Sequence, residues 1–176
     1  PFHPEAFDME EAMAELDAEC HRWMEAGKFL VTLGGEHSLT IAPVRAAHRV
    51  FGEIGIVQFD AHADLREEFE GTPYSHASVM RRVFDEGIPS LPVGIRSLSA
   101  PEAELVERHK IPVLWGRELE PAAALEKRFD ALLKRLPKKI YPTFDIDYFD
   151  PAIAPATGTP EPAGGTWYPT LRLPRK

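Results

Sequence analysis

Apolar and polar positions along this chain repeat with two periods, and their alternation predicts helices interleaved with short buried strands. From about Asp8 to Ala26, the spacing of Leu16, Cys20 and Trp23 gives one helical face. Phe29 to Leu33 is a continuous apolar run of strand length. Ser38 stands where a helix running towards Val50 needs an N-cap, with Pro43 tolerable in its first turns. Ile54 to Phe59 reads as a second strand, and Ser75 to Glu86 as a helix closed by Gly87. Leu91 to Ile95 is a third strand, followed by a helix from about Pro101 to Arg108 and a short strand at Pro112 to Trp115. Pro121 opens a long amphipathic helix through Leu125, Phe129, Leu132, Leu133 and Leu136, and Ile140 to Phe144 is the last predicted strand.

Strands alternating with helices predict an α/β fold with a parallel sheet covered on both faces. No composition shift marks a boundary, so residues 1–176 are expected to form one domain. In such sheets, ligands bind beyond the carboxyl ends of the strands. Three clusters of acids and histidines fall there. Gly34-Gly35-Glu36-His37-Ser38 follows the first apolar run, Asp60-Ala61-His62-Ala63-Asp64 the second, and Asp145-Ile146-Asp147 the last. An ionised carboxylate in a dry site is costly unless something positive neutralises it, and a metal is the simplest positive partner.

Composition narrows the choice. A formal net charge of -8 without a basic stripe argues against nucleic acid and against an anionic membrane surface. The acidity is compatible with a cationic substrate. No apolar run reaches membrane-spanning length and no charged-then-apolar leader opens the chain, which makes a cytoplasmic protein the expectation. Cys20 is the only cysteine, so any metal must sit on oxygen and imidazole.

In an extended segment alternate side chains share a side, so Asp60, His62 and Asp64 are expected to aim one way. Asp145 and Asp147 would do the same, with Phe144 and Ile146 packed behind them. Adding His37 gives a set of aspartates and imidazoles in which some carboxylates must bridge if two ions are to be served. Oxygen-rich shells with one imidazole per ion suit manganese(II) better than tetrahedral zinc; ligand type alone leaves zinc, iron(II), cobalt and nickel open.

These motifs, with Phe144 to Pro151 and Thr157-Gly158-Thr159-Pro160-Glu161-Pro162, resemble the signatures of the ureohydrolases, the arginase and agmatinase family. The resemblance implies a three-layer α/β/α fold, two Mn(2+) per chain, and hydrolysis of a guanidino group to urea and an amine. It implies that His37 ligates one ion and His62 the other, and that Asp60 and Asp145 bridge them. Asp64 would complete the ligands of the first ion and Asp147 those of the second. His76 matches a histidine proposed as a proton shuttle, and Glu161 the acid that holds the guanidinium. Family members are commonly trimers or hexamers, so a homo-oligomer is implied as well.

Ser97 after Val93-Gly94-Ile95-Arg96, Arg66 after Asp64-Leu65, and the stretch Thr166 to Leu171 resemble agmatinases more than arginases. Agmatine or its aminopropyl derivative is therefore the expected substrate, in polyamine biosynthesis. Arginase, guanidinobutyrase or formiminoglutamase-type activity, or a non-catalytic relative of the fold, are the alternatives. Three departures stand out. Ala156 occupies a position that is usually Gly, where a Cβ would strain a left-handed turn. Pro162-Ala163-Gly164-Gly165 differs from the usual Pro-Gly-Gly run, and Ala77 follows His76 where Gly is common. Family chains also extend further at both ends, so the fold is expected to be truncated at both ends, with exposed strand edges.

Overall fold

A computed structural model of the chain describes residues 9–173. It divides into two compact units, one made of the residues up to Ile54 with Asp64–Ile88, the other of Gly55–Ala63 with the residues from Pro89 onward.

In the first unit, helix α1 spans Met9–Glu25 and buries Met13, Leu16, Cys20 and Met24. These recur at spacings of three and four, one apolar stripe. Asp8, the expected start, lies outside the described residues. Trp23 is on the exposed side instead, where its indole donates to Glu19. Burial pushes the Cys20 thiol up to about 11, so it behaves as a small apolar residue. Helix α2, Ile41–Phe51, packs on α1 and buries Ile41, Ala42, Val44 and Ala47 among others. A short 3-10 turn, His37–Thr40, leads into it and is capped by Glu36, whose carboxylate accepts from the Ser38 N–H and hydroxyl. The cap is thus Glu36 rather than Ser38.

The strand predicted at Phe29 to Leu33 does not form. Apolar character favours a strand only where a neighbouring ladder takes up its N–H and C=O groups, and among the described residues none pairs with this run. Phe29 and Leu33 are 94% and 93% exposed. Further on, Ser75 caps the turn His76–Ser78 through the Ala77 N–H, and helix α3 follows at Val79–Asp85.

The second unit holds a four-stranded parallel sheet in the order β3-β2-β1-β4. Strand β1 is Gly55–Phe59, β2 is Ser90–Ile95, β3 is Leu114–Trp115 and β4 is Ile140–Phe144. Every residue of β1 is buried, as a central parallel strand requires. Helices α4 (Ala100–His109), α5 (Ala122–Leu133) and α6 (Trp167–Arg172) accompany the sheet. Leu125 and Phe129 of α5 pack with Val57, Phe59, Leu91, Val93 and Leu114. Burying each such leucine or phenylalanine contributes about 1.5–3 kcal/mol. Tyr148, fully buried, packs over Gly94, where a Cβ would come within 2.5 Å of its ring. Gly94 also takes φ +95°, so no other residue suits it.

Candidate metal centre

In the second unit the site grows from the end of β1. Asp60 follows Phe59 directly, and its carboxylate is 1% exposed. Its Oδ1 accepts from the His62 N–H at 2.7 Å, a turn that folds His62 back over it. Gln58, one residue from the strand end and 0% exposed, donates from Nε2 to Asp60 Oδ2 and to the His62 carbonyl, both at 3.0 Å.

From the end of β4, Asp145 accepts the Asp147 N–H at 3.1 Å, and Ile146–Tyr148 forms a 3-10 turn. This turn, not extended alternation, sets the two aspartates together. Of the two residues expected to pack behind the acids, Phe144 stacks on Phe59 at 5.2 Å and meets Tyr148 edge-on at 5.5 Å while staying 46% exposed, and Ile146 is 49% exposed. Asp147 is buried; its Oδ1 accepts the Ala61 N–H and its Oδ2 the Thr159 hydroxyl, each at 3.1 Å.

His62 Nδ1 lies 3.0 Å from Asp147 Oδ2 and 3.7 Å from Asp60 Oδ1. Asp60, His62 and Asp147 each offer a ligand atom within 4.8 Å of the others. Burial would lower the His62 pKa, yet the hydrogen bonds to Asp147 and Asp60 outweigh it and push it up to about 10. Two buried acids thus favour a positive charge beside them, whether an imidazolium or a bound ion. Glu161 comes within 3.7 Å of His62 Nε2 and is the most exposed member of the group.

The first unit carries the remaining sequence-predicted residues. His37 Nδ1 lies 2.7 Å from Asp64 Oδ2, and both side chains are almost fully buried. Asp64 takes a left-handed φ of 54°, so the extended alternation expected from Asp60 ends before it. An aspartate tolerates this conformation better than most residues. Its carbonyl accepts the Arg81 N–H at 3.0 Å, which ties it to α3. His76 Nδ1 lies 3.2 Å from Glu36 Oε1, and its ring meets Phe69 edge-on at 5.4 Å. Each unit therefore pairs an imidazole with a buried carboxylate.

Three further residues around these groups were given no role from the sequence, although Glu36 and Arg96 lie in motifs it named. Gln58 is a polar side chain inside an otherwise apolar strand, which is a readable signal. Glu36 reads as a loop acid, and Arg96 as a plain basic residue after β2; only the folded chain shows what their side chains reach.

A model of the arginase family matches residues 2–176. The chain belongs to the arginase family. It is 43% identical over 155 residues to the N(1)-aminopropylagmatine ureohydrolase of Synechocystis sp., covering 88% of this chain and 50% of that protein. The agmatine ureohydrolase of Thermoplasma volcanium superposes with a TM-score of 0.81 at 33% identity, over 96% of this chain and 56% of the other. Proclavaminate amidino hydrolase from Streptomyces clavuligerus superposes with a TM-score of 0.85 at 31% identity, over 96% and 58%. The chain spans about half the length of the curated relatives it matches. Among its described residues, no helix is long and apolar enough to cross a membrane.

Proposed function

We propose that this arginase-family chain is a manganese-dependent hydrolase that converts agmatine or aminopropylagmatine to urea and an amine. It would act in the cytoplasm, in polyamine biosynthesis, as a homotrimer or hexamer like relatives of its family. The metal ligands proposed are His37, Asp60, His62, Asp64, Asp145 and Asp147. The donor chemistry fits two divalent ions: these aspartates balance their charge, and the clustered Asp60, His62 and Asp147 offer the hard oxygen and imidazole atoms manganese accepts.

Bound ions would lower the pKa of water so that a hydroxide nucleophile is available at neutral pH. The protein's own groups do the rest. Guanidinium is planar and resonance-stabilised, so it must be oriented before its carbon can be attacked. Glu161 would hold it through a two-pronged, charge-assisted hydrogen bond. The carbon–nitrogen bond to the amine breaks as urea forms, and the amine leaves with a proton. His76 or Asp64 would supply or relay that proton, and Glu36, 3.2 Å from His76, would orient its ring.

The single observation that carries this reading is the carboxylate of Glu161 beside His62 of the Asp60–His62–Asp147 cluster, a cation holder next to a metal holder. The 43% identity to an aminopropylagmatine ureohydrolase supports the substrate class. The test is urea release after manganese loading, with agmatine, aminopropylagmatine and arginine compared. We expect kcat/KM for one of the first two to exceed that for arginine by about tenfold or more, and Asp60→Ala to abolish release. Arginine turned over equally well would overturn the substrate; no urea from any of them would overturn the activity.

A further inference from the structure

Arg96, at the end of β2, binds carbonyl groups rather than a carboxylate. Its Nη2 donates to the Asp147 carbonyl at 2.7 Å and the Glu161 carbonyl at 2.8 Å, and its Nε to the Pro162 carbonyl at 2.9 Å. Longer contacts reach the carbonyls of Gly94 at 3.2 Å and of Tyr148 and Phe149 at 3.4 Å. Its own N–H donates to the Ala61 carbonyl at 2.8 Å, between Asp60 and His62. One residue is therefore bonded to three segments: the Asp60–His62 segment, the Asp147 turn and the Glu161 loop.

The three segments depend on it unequally. The Asp147 carboxylate has its own partners, Ala61 and Thr159. The Asp60–His62 segment follows a fully buried strand and is held by β2 through Asp60 N–H to Val93, and just beyond β2 through Ala63 N–H to Ser97. The Glu161 loop has much less. Among the described residues, the only hydrogen bonds to the backbone of residues 155–162 come from Arg96, and the further side-chain ties are Thr159 to Asp147 and the long contact of the Glu161 carboxylate with His62 at 3.7 Å. Two prolines flank Glu161, and neither can donate an N–H to fix the loop.

We propose that Arg96 is a positioning residue for Glu161: its guanidinium fork fixes the loop's carbonyls and so holds the carboxylate in the one placement that binds a guanidino substrate. This rests on the proposed role of Glu161. A lysine cannot replace it, because a single ammonium cannot span carbonyls that a planar fork reaches together. If the loop spends only a fraction of its time in the competent placement, apparent affinity falls by that fraction while the chemical step in the correctly bound complex is unchanged.

The test compares the wild-type chain with Arg96→Lys and Arg96→Met. In the manganese-loaded variants, KM for agmatine is expected to rise about tenfold or more, with kcat and manganese affinity changed by less than about threefold. A merely structural role would lower active fraction, metal content and melting temperature together and leave KM alone; that pattern, or no change, overturns the proposal. Should the wild-type chain release no urea, the activity reading fails and loop order decides on its own. Backbone 15N order parameters of Gly158, Thr159 and Glu161 are expected to fall from near 0.85 to below about 0.6 in the variants, and values unchanged from wild type overturn the proposal. If neither variant folds, the wild-type Arg96 guanidinium supplies the check. Slow rotation with resolved Nη protons is expected, and a freely rotating group counts against the proposal.

Discussion

Ala163 carries the backbone strain that the sequence located at Ala156. Its φ is +64°, while Ala156 is not among the left-handed residues described. The conformation has a local use. It turns the N–H groups of Ala163 and Gly164 onto Asp150 Oδ2, at 2.9 and 3.2 Å, while Asp150 Oδ1 accepts from Ala152 at 2.9 Å. These backbone bonds, led by that from Ala152, hold the Asp150 carboxyl below its usual range. A Cβ in the left-handed region costs about 1–2 kcal/mol, part of which glycine returns as extra freedom of the unfolded chain. Ala163→Gly is therefore expected to stabilise the chain by about 0.5–1 kcal/mol, read as a higher melting temperature by calorimetry. A lower one would mean that the methyl group has a packing role outweighing the strain.

The elements show how a cap can be worth more than the residue that seems to supply it. Helix α4 starts after Ser99, and Glu102, 4% exposed, accepts both the Ser99 N–H at 2.7 Å and its hydroxyl at 2.6 Å. Removing that acceptor leaves a backbone donor unpaired at a helix start. Glu102→Ala should destabilise by about 1–2 kcal/mol in urea unfolding, and Glu102→Gln, which keeps an acceptor, by less than half as much. Equal losses would show that charge, not capping, is what Glu102 provides. This cap is written in the sequence as the Ser99-x-x-Glu102 spacing of a capping box, yet reading α4 from periodicity alone passes over it, because periodicity reports buried faces and not the hydrogen bonds at their ends. The same limit holds at the site. Strands β1, β2 and β4 and the acids that follow β1 and β4 were legible, since packing alone gives an apolar run no reason to end in aspartates. The 3-10 turn that joins Asp145 to Asp147 was not, and α6 was missed because Pro169 sits in its first turn and hides the helical signal. The run Phe29 to Leu33 failed for the opposite reason: its propensity was read correctly, but a strand also needs a partner.

At the scale of the whole chain, that same run sets the most testable behaviour. Phe29, Val31 and Leu33 are 94%, 67% and 93% exposed, in a segment with high strand propensity and no charge between Lys28 and Glu36. Segments of this kind pair with copies of themselves unless charge opposes it. The net charge of -8 does oppose it, through a repulsion that salt screens beyond about 10 Å at 0.1 M. Association driven by the apolar run should then grow as salt is raised, which is the reverse of an assembly held by ion pairs. Sedimentation velocity between low and about 0.5 M salt is expected to show a broad, concentration-dependent shift to larger species. The double substitution Phe29→Lys, Leu33→Lys should suppress it with little change in melting temperature, because neither side chain is buried. A discrete trimer or hexamer that forms at low salt and survives the double substitution would instead assign assembly to another surface, and leave the exposed run without a role in it.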